Sequence, residues 1–533
     1  MKRAVLAAAL LAALIAGCGR QTDVSRGDQS QVLHRGIVPD IDDLDPHMAS
    51  QTNYYSVLSA LLEGLTAEDP VDLHPVPAVA ERWDSTPDGL TYTFYLRADA
   101  RWSNGEPVTA QDFIGSWRRI LSPSLGAADA AQLYVIQGAE AFNRGDGDFS
   151  QVGLRARGPR QLEVTLEHPA PWFLSLLSTP AWLPVPLATI RKYGGETQRG
   201  VEWTTPERWV GNGPFVLHSW RHGQEIVVER SPTYWDTAHV RLRAIHFHVF
   251  DSVDAEDRAF RAGQVHLTEM VPPAKIEAYK RDSPALLRED PLLGTYFVRV
   301  NTRRPGLVDA RVRLALALAI DRASVTEHVL RGGQRPARAF TPPGLGSYAP
   351  APVQGLDLDK ARRLLSEAGH AGGEGIPEFE LLFNSDETHR LVAEALQEMW
   401  RRDLGISVRL TNEDFKSVEA ARSTGSYDLL LSSWIADFED PTAFLDIWRS
   451  DNGNNFTGWA DPDYDELLFK AARTTDQSSR LALMGRAETM LLESAPVIPI
   501  YHYVHAFLIT PSVKGWHPTL LDHHPYKDVY LEP

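Results

Sequence analysis

A chain of 533 residues exceeds what one apolar core can organise, so two or more lobes are expected. Its 43% hydrophobic and 23% charged residues are the proportions of an ordinary soluble globular protein. A formal charge of −17 argues against a nucleic-acid partner and against electrostatic docking on anionic lipid, and weakly favours cationic ligands.

At the N-terminus Lys2 and Arg3 precede an apolar run, Ala4 to Ile15, and a small-residue site, Ala16-Gly17, before Cys18. The run is shorter than the ~20 residues a spanning helix needs, so it reads as a secretory signal. Leu14-Ile15-Ala16-Gly17-Cys18 resembles the lipobox of bacterial lipoproteins, which implies lipidation of Cys18 as the mature first residue. Cys18 is the only cysteine, so no disulfide and no thiolate metal site is expected. Residues 19 to about 31 are small and polar and read as a flexible tether. Gly19 is not the aspartate that commonly retains lipoproteins on the inner membrane, so which membrane holds the lipid stays open.

Strand and helix signals then interleave as in an α/β protein. Pro87-Asp88-Gly89 is a turn before the alternating strand Thr91 to Leu96. Val210-Gly211-Asn212-Gly213-Pro214 reads as a turn, because Pro214 and the β-rich residues after it spoil a phosphate-binding helix. Ile226-Val228 and Ile245-Val249 read as strands. Asp309 is placed to cap a helix with Val312, Leu316, Ala319 and Ile320 on its apolar stripe, and Asp357 caps another that Gly369 stops. Phe379-Phe383, a helix around Leu391 to Trp400, and Ile406-Leu410 form a βαβ unit. Val497-Tyr501 is a further strand, with loop expected from there to Pro533. Strands crossing between two lobes would leave a ligand between them.

Enzyme signatures are absent: no Gly-x-Ser-x-Gly elbow, no His-Glu-x-x-His helix and no Walker loop occur. His246 and His248 alternate and so share one strand face; His523 and His524 lie near His517 and Asp522. Neither group brings a third metal ligand at convincing spacing, so both read as solvated histidines, with no metal and no cofactor.

The segment Ser433-Trp434-Ile435-Ala436-Asp437-Phe438-Glu439-Asp440-Pro441 is an apolar run ending in an acidic turn. A carboxylate just past a buried strand can receive an ammonium group, or can simply cap a helix. It resembles the Trp-x-Ala-Asp-Tyr-x-Glu-Pro stretch of the oligopeptide-binding proteins of bacterial ABC importers, extracellular solute-binding protein family 5. Ala80-Glu81-Arg82-Trp83 through Trp102-Ser103-Asn104-Gly105 to Asp112-Phe113 resembles the family's signature region, and Glu229 to Trp235 and Asp309 to Arg322 match later landmarks.

The resemblance implies a two-lobed periplasmic-binding-protein-like α/β fold (type II, large three-domain subclass) enclosing its ligand. The domains would be signal 1–17, tether 18–31, lobe 1 from 32–67, 188–293 and 505–533, an additional domain 68–187, and lobe 2 from 294–504. It implies a monomeric, non-enzymatic receptor for short peptides, tethered to a membrane at Cys18 and serving the transmembrane subunits of an ABC permease. Asp437 would hold the peptide amine, and Ser433, Trp434 and Ile435, with the turn at Leu65, would pair with its backbone. Glu63, Phe415 and Phe297 would line the cleft, and His389 would reach the peptide carboxylate. The pattern departs at Leu431, Leu330 and Arg299, which replace an arginine, a lysine and a glutamate, so Arg299 becomes the candidate for that carboxylate. Relatives on this scaffold also take dipeptides, nickel, haem or glutathione. A secreted peptidase lacks its nucleophile and metal motifs here, and an adhesive or chaperone-like lipoprotein would not close on a small ligand.

Overall fold

The computed structural model describes residues 21–38, 40–49 and 52–533, with the backbone alone at 52 and 53. The signal segment and Cys18 lie outside the described residues. Residues 19 and 20 lie outside them too, and the described part of the expected tether, from Gln21 on, is not slack. Asp23–Ser30 forms helix α1, capped by the Thr22 side chain and ended by a left-handed Gln31. Val24 N–H donates to the Gly263 carbonyl at 3.0 Å. A Cβ on buried Gly27 would come within 2.3 Å of the Val32 carbonyl, so only glycine allows this approach. Polar composition hides these tertiary contacts, and they override it.

Strand β1 (Val32–Ile37) starts a sheet that is completed only after a long insertion. The insertion carries β2 (Ala80–Ser85), β3 (Thr91–Leu96), β4 (Leu154–Ala156) and β5 (Gln161–Thr165) in the order β2-β3-β5-β4. In β3 Tyr92, Phe94 and Leu96 are buried and the alternate residues Thr91, Thr93 and Tyr95 less so, which is the period-two pattern of a half-covered sheet. The chain then returns through β6 (Phe215–Arg221), β7 (Glu225–Arg230) and β8 (Ala244–Val249) to give β1-β8-β7-β6. The β1-β8 pair is parallel, in register His34↔His246 and Gly36↔His248. One apolar core, with Leu33, Phe94, Trp117, Trp182 and Phe247, runs beneath both sheets. Each such side chain contributes about 1.5–3 kcal/mol by leaving water. The turn before β6 is a packing device: the Gly213 Cβ position lies 2.5 Å from the Leu61 carbonyl carbon.

The second body is a six-stranded mixed sheet. β9 (Leu287–Val300) precedes α2 (Ala310–Leu318), capped by Asp309, and α3 (Leu358–Glu367), capped by Asp357. β10 (Phe379–Asn384), α4 (Glu387–Leu404) and β11 (Val408–Glu413) form the expected parallel βαβ unit. α5 (Phe415–Thr424) leads to β12 (Leu429–Ile435), and β13 (Val497–Leu508) closes the order Arg335–Pro336, β13, β9, β12, β10, β11. β13 runs beyond the expected end at Tyr501, because Phe507 and Leu508 are buried again after the polar stretch. The tail is also less loop-like than expected, since Val513–Lys514 pairs with Tyr530–Leu531.

β9 and β13 are long antiparallel partners whose register shifts between Pro291 and Thr295. Their outer ends, Leu287 and Leu508, join a cluster with Phe260 and Val271, whereas Val298 and Ile498 enter the core of the six-stranded sheet. The pair therefore crosses from one body to the other. No helix among the described residues is long and apolar enough to cross a membrane.

Candidate functional site

The parallel strands β10, β11 and β12 end together at Asn384, Glu413 and Ile435, and α4 and α5 begin just beyond the first two. Carboxyl ends of parallel strands leave a crevice where neighbouring connections diverge. β12 pairs with β9 from Leu429 to Ile435, but with β10 only at Leu429 and Leu430. Along Leu431 to Ile435 the other edge has no strand partner among the described residues. Such an edge offers backbone donors and acceptors to an extended chain.

At its tip Ile435, Ala436 and Asp437 enter a cavity of about 310 Å³, faced by Tyr55, Asp129, Thr179 and Asp522 from the other body. A larger groove of about 490 Å³ beside Asp42, Glu202 and Trp220 is more open and lies away from the carboxyl ends of these parallel strands. The Asp437 carboxylate has no hydrogen-bond or ion-pair partner among the described residues, although water reaches it. Desolvation by the surrounding walls, then repulsion from Asp129, pushes its carboxyl up to about 6, with His523 opposing. Glu439 is pushed up to about 7 by burial and by Glu68 and Asp72. Asp440 is different: Arg480 donates to both its oxygens at 2.8 and 2.6 Å, and Thr442 N–H donates at 2.9 Å. One acid of the motif is thus structural, and two face the cleft region without a cation.

The facing wall is a polar network. Arg35 donates to Glu269 Oε2 at 3.0 Å and to the Tyr526 hydroxyl. His505 Nδ1 lies 2.9 Å from Asp522 Oδ1. Burial pushes this imidazole down, but Asp522 outweighs it and raises the pKa to about 9. The expectation that His523 and His524 are solvated fails here. His523 Nδ1 lies 2.9 Å from Glu68 Oε1 and its ring stacks on Tyr55 at 3.6 Å. His524 is buried, 3.0 Å from Asp522 and stacked on Trp516 at 3.9 Å. The tail folds back into the cleft, which residue-by-residue polarity does not reveal. His246 and His248 do share one face of β8, but they too are half-buried, because register sets His34 beside them. The adjacent Asp522, His523 and His524 were the available signal for this wall.

Residues 74–456 match the profile described as bacterial extracellular solute-binding proteins, family 5 Middle. The chain belongs to that family. It is 34% identical over 528 residues to the periplasmic oligopeptide-binding protein OppA of Escherichia coli K12, covering 97% of this chain and 96% of that protein. It is also 34% identical over 496 residues to the periplasmic murein peptide-binding protein MppA of the same organism, covering 92% and 90%. Among solved structures, the Haemophilus influenzae OppA complex with RPPGFSPFR superposes with a TM-score of 0.78 at 29% identity, covering 94% of this chain and 99% of that one. The two-lobed α/β fold and the class of solute-binding protein, not enzyme, follow.

Within this family-5 chain the expected contact residues divide sharply. Asp437 and the 37% exposed Ile435 line the cavity. Ser433 is exposed on the open edge and bonded to the Tyr503 hydroxyl; Tyr296, its partner in β9, bonds His389. Burial pushes the His389 pKa down, so its ring is neutral at pH 7. Trp434 is anchored through its indole N–H to the Ala443 carbonyl at 2.7 Å. Phe415 stands 66% exposed at the start of α5 and does not line the cavity. Glu63 is buried and accepts from the Tyr234 hydroxyl and, at 2.7 Å, from the Trp235 indole, so both oxygens are taken. Leu65 is fully buried, and its carbonyl accepts from Ala80 N–H at 3.0 Å. Phe297 is buried against Phe340 and Trp448. Arg299, also buried, donates to the Asn454 carbonyl at 2.9 Å with Trp448 beneath it. Homologous position indicated these four; packing turns their side chains inward.

Proposed function

We propose that this chain captures short peptides between its lobes and delivers them to an ABC permease, as a monomer anchored by lipid on Cys18 at the extracytoplasmic face of a membrane. Asp437 takes the peptide ammonium, and the Leu431–Ile435 edge pairs with the peptide backbone. The observation that carries this reading is the coincidence of an unpartnered carboxylate with an unpaired strand edge at one cavity. A charge-assisted ammonium–carboxylate bond is strong once closure of the lobes excludes water from it. The printed names of the relatives, oligopeptide-binding and murein peptide-binding, point to the same ligand class. In this reading the lobes are 32–67 with 188–293 and 505–533, and 294–504, with 68–187 as the additional domain. Closure about β9 and β13 reports occupancy to the permease.

The test is thermal melting against peptides of two to eight residues, free or N-acetylated. A ligand at about a hundred times its dissociation constant adds ~2.7 kcal/mol to stability. Stabilisation by free-amine peptides, lost on acetylation and in Asp437→Asn, is the expected result. No shift with any peptide overturns the reading.

A further inference from the structure

Away from the cleft, on the face of β1 opposite Arg35, the register of β1 and β8 assembles a cluster that no short stretch of sequence displays. His34 and His246 are direct neighbours across the parallel pair, and His248 follows two residues along β8 on the same face. One ring nitrogen from each of the three lies within 4.8 Å of the others. His34 Nδ1 and His248 Nε2 are already 2.9 Å apart. Three imidazoles bound to one ion with metal–nitrogen bonds near 2.0–2.1 Å place their nitrogens about 3.3 Å apart, so small side-chain rotations suffice.

The surroundings complete a second shell. Glu225 Oε1 lies 2.9 Å from His246 Nδ1 and 3.6 Å from His248 Nδ1, which leaves Nε2 of both rings to face inward. A carboxylate behind a metal-bound imidazole fixes its tautomer and raises its basicity. His266 is the wall: its ring stacks on His34 at 5.7 Å, its Nδ1 accepts from His34 N–H at 3.0 Å, and its Nε2 faces Asp28 at 3.4 Å. Arg26, the cation near His34, is paired with Asp23. The side chains of His246 and His248 are 29% and 25% exposed, so an ion can enter and keep one position for water.

We infer that His34, His246 and His248 form a binding site for one divalent transition-metal ion of the zinc class, with Glu225 orienting His246. Neutral nitrogen donors with an open fourth position suit Zn²⁺ and exclude Mg²⁺ and Ca²⁺, which require oxygen. His34 would bind through Nδ1 in its Nε2–H tautomer. A second cluster of ligand-type residues among the described residues, Asp69, Asp72 and His74, is mostly exposed and serves as a control.

The test uses the untagged full chain carrying Cys18→Ser, so that no thiol competes, titrated with Zn²⁺ against a chromophoric chelator. One ion per chain is expected, at about 1 µM or tighter. His246→Ala/His248→Ala should weaken binding at least about 100-fold, Glu225→Gln about 10- to 100-fold, and Asp72→Asn not at all. X-ray absorption on the unmutated site should report three nitrogen ligands near 2.0 Å, which needs no variant to fold. Binding unchanged in the double histidine variant, absent binding, or a coordination shell without imidazoles overturns the inference.

Discussion

Protonating Asp437 should release the ligand, and the pH at which it does so follows from the site. The carboxyl titrates at about 6 in the free protein because cleft walls and Asp129 disfavour its charge. A bound ammonium favours the carboxylate, so occupancy lowers that pKa, and affinity must fall as pH drops below about 6. At pH 5 roughly a tenth of the free protein is ionised, so affinity should be about tenfold below its plateau; at pH 4 the loss is about 100-fold. Above pH 8 the peptide amine itself loses its proton, which confines the plateau to about pH 6.5–7.5. Isothermal titration of one free-amine tripeptide from pH 4.5 to 8.5 reads this directly. Asp437→Asn keeps the shape and removes the charge; it should cost roughly 2–3 kcal/mol at pH 7, some 30- to 150-fold, and flatten the acid limb. His505 titrates near 9 and is outside that limb. Glu439, pushed up to about 7, titrates in the same window, so the comparison is made with Glu439→Gln in both proteins. An acid limb that persists in Asp437→Asn on that background refutes the assignment, as does a flat profile when Asp437 is intact.

Arg480→Ala strands a buried Asp440 carboxylate and should cost about 3–5 kcal/mol in denaturant unfolding, whereas Arg480→Ala with Asp440→Ala recovers part of it; a loss under 1 kcal/mol contradicts the structural role. The His505 pKa is raised from 6.5 to about 9, so its contribution is complete below pH 6.5 and fades as pH rises through 9. Unfolding free energy should therefore decline on the order of 3 kcal/mol across that window, and His505→Gln should flatten the decline. Peptides N-methylated where they meet Leu431–Ile435 should lose about 0.5–1.5 kcal/mol per missing bond, and unaltered affinity at every position excludes strand addition. C-terminal amidation should weaken binding less than N-terminal acetylation, measured on one tripeptide series, and the reverse order contradicts the asymmetry of the cleft.

Local patterns announced most of the scaffold. Thr91 to Leu96 alternates because one face is covered, Asp309 and Asp357 cap because their side chains reach free amides, and the Phe379–Leu410 unit carries both periods. What depends on pairing over long separations was not legible. His34 and His246 stand 212 positions apart, yet register makes them neighbours. The tail histidines are covered by Glu68 and Tyr55, both remote in sequence, as well as by nearby Trp516. Of the residues the resemblance picks out, Asp437 lines the cavity and Ser433 is exposed on the open edge of β12, whereas the side chains of Glu63 and Arg299 are engaged inside the protein. Tyr234 and Trp235 claim the first, and the Asn454 carbonyl the second.

The commitments of the charged groups explain why recognition should be one-sided. Leu431 and Leu330, at the positions where basic side chains were expected, are buried in the core of the six-stranded sheet and offer no charge. The basic groups on the cavity wall are already engaged: Arg35 with Glu269 and Tyr526, His505 with Asp522, and His523 with Glu68. Recruiting any of them to a peptide carboxylate would leave a buried acid unpaired, at a cost comparable to the gain. Asp437 and Glu439 face the opposite situation, since an arriving cation relieves repulsion that the free protein already carries. On the proposed binding mode, charge would therefore discriminate at the amine end only, while the β12 edge would read backbone along the middle and be indifferent to side chains. A receptor built this way fixes where a peptide begins and leaves its far end free to vary.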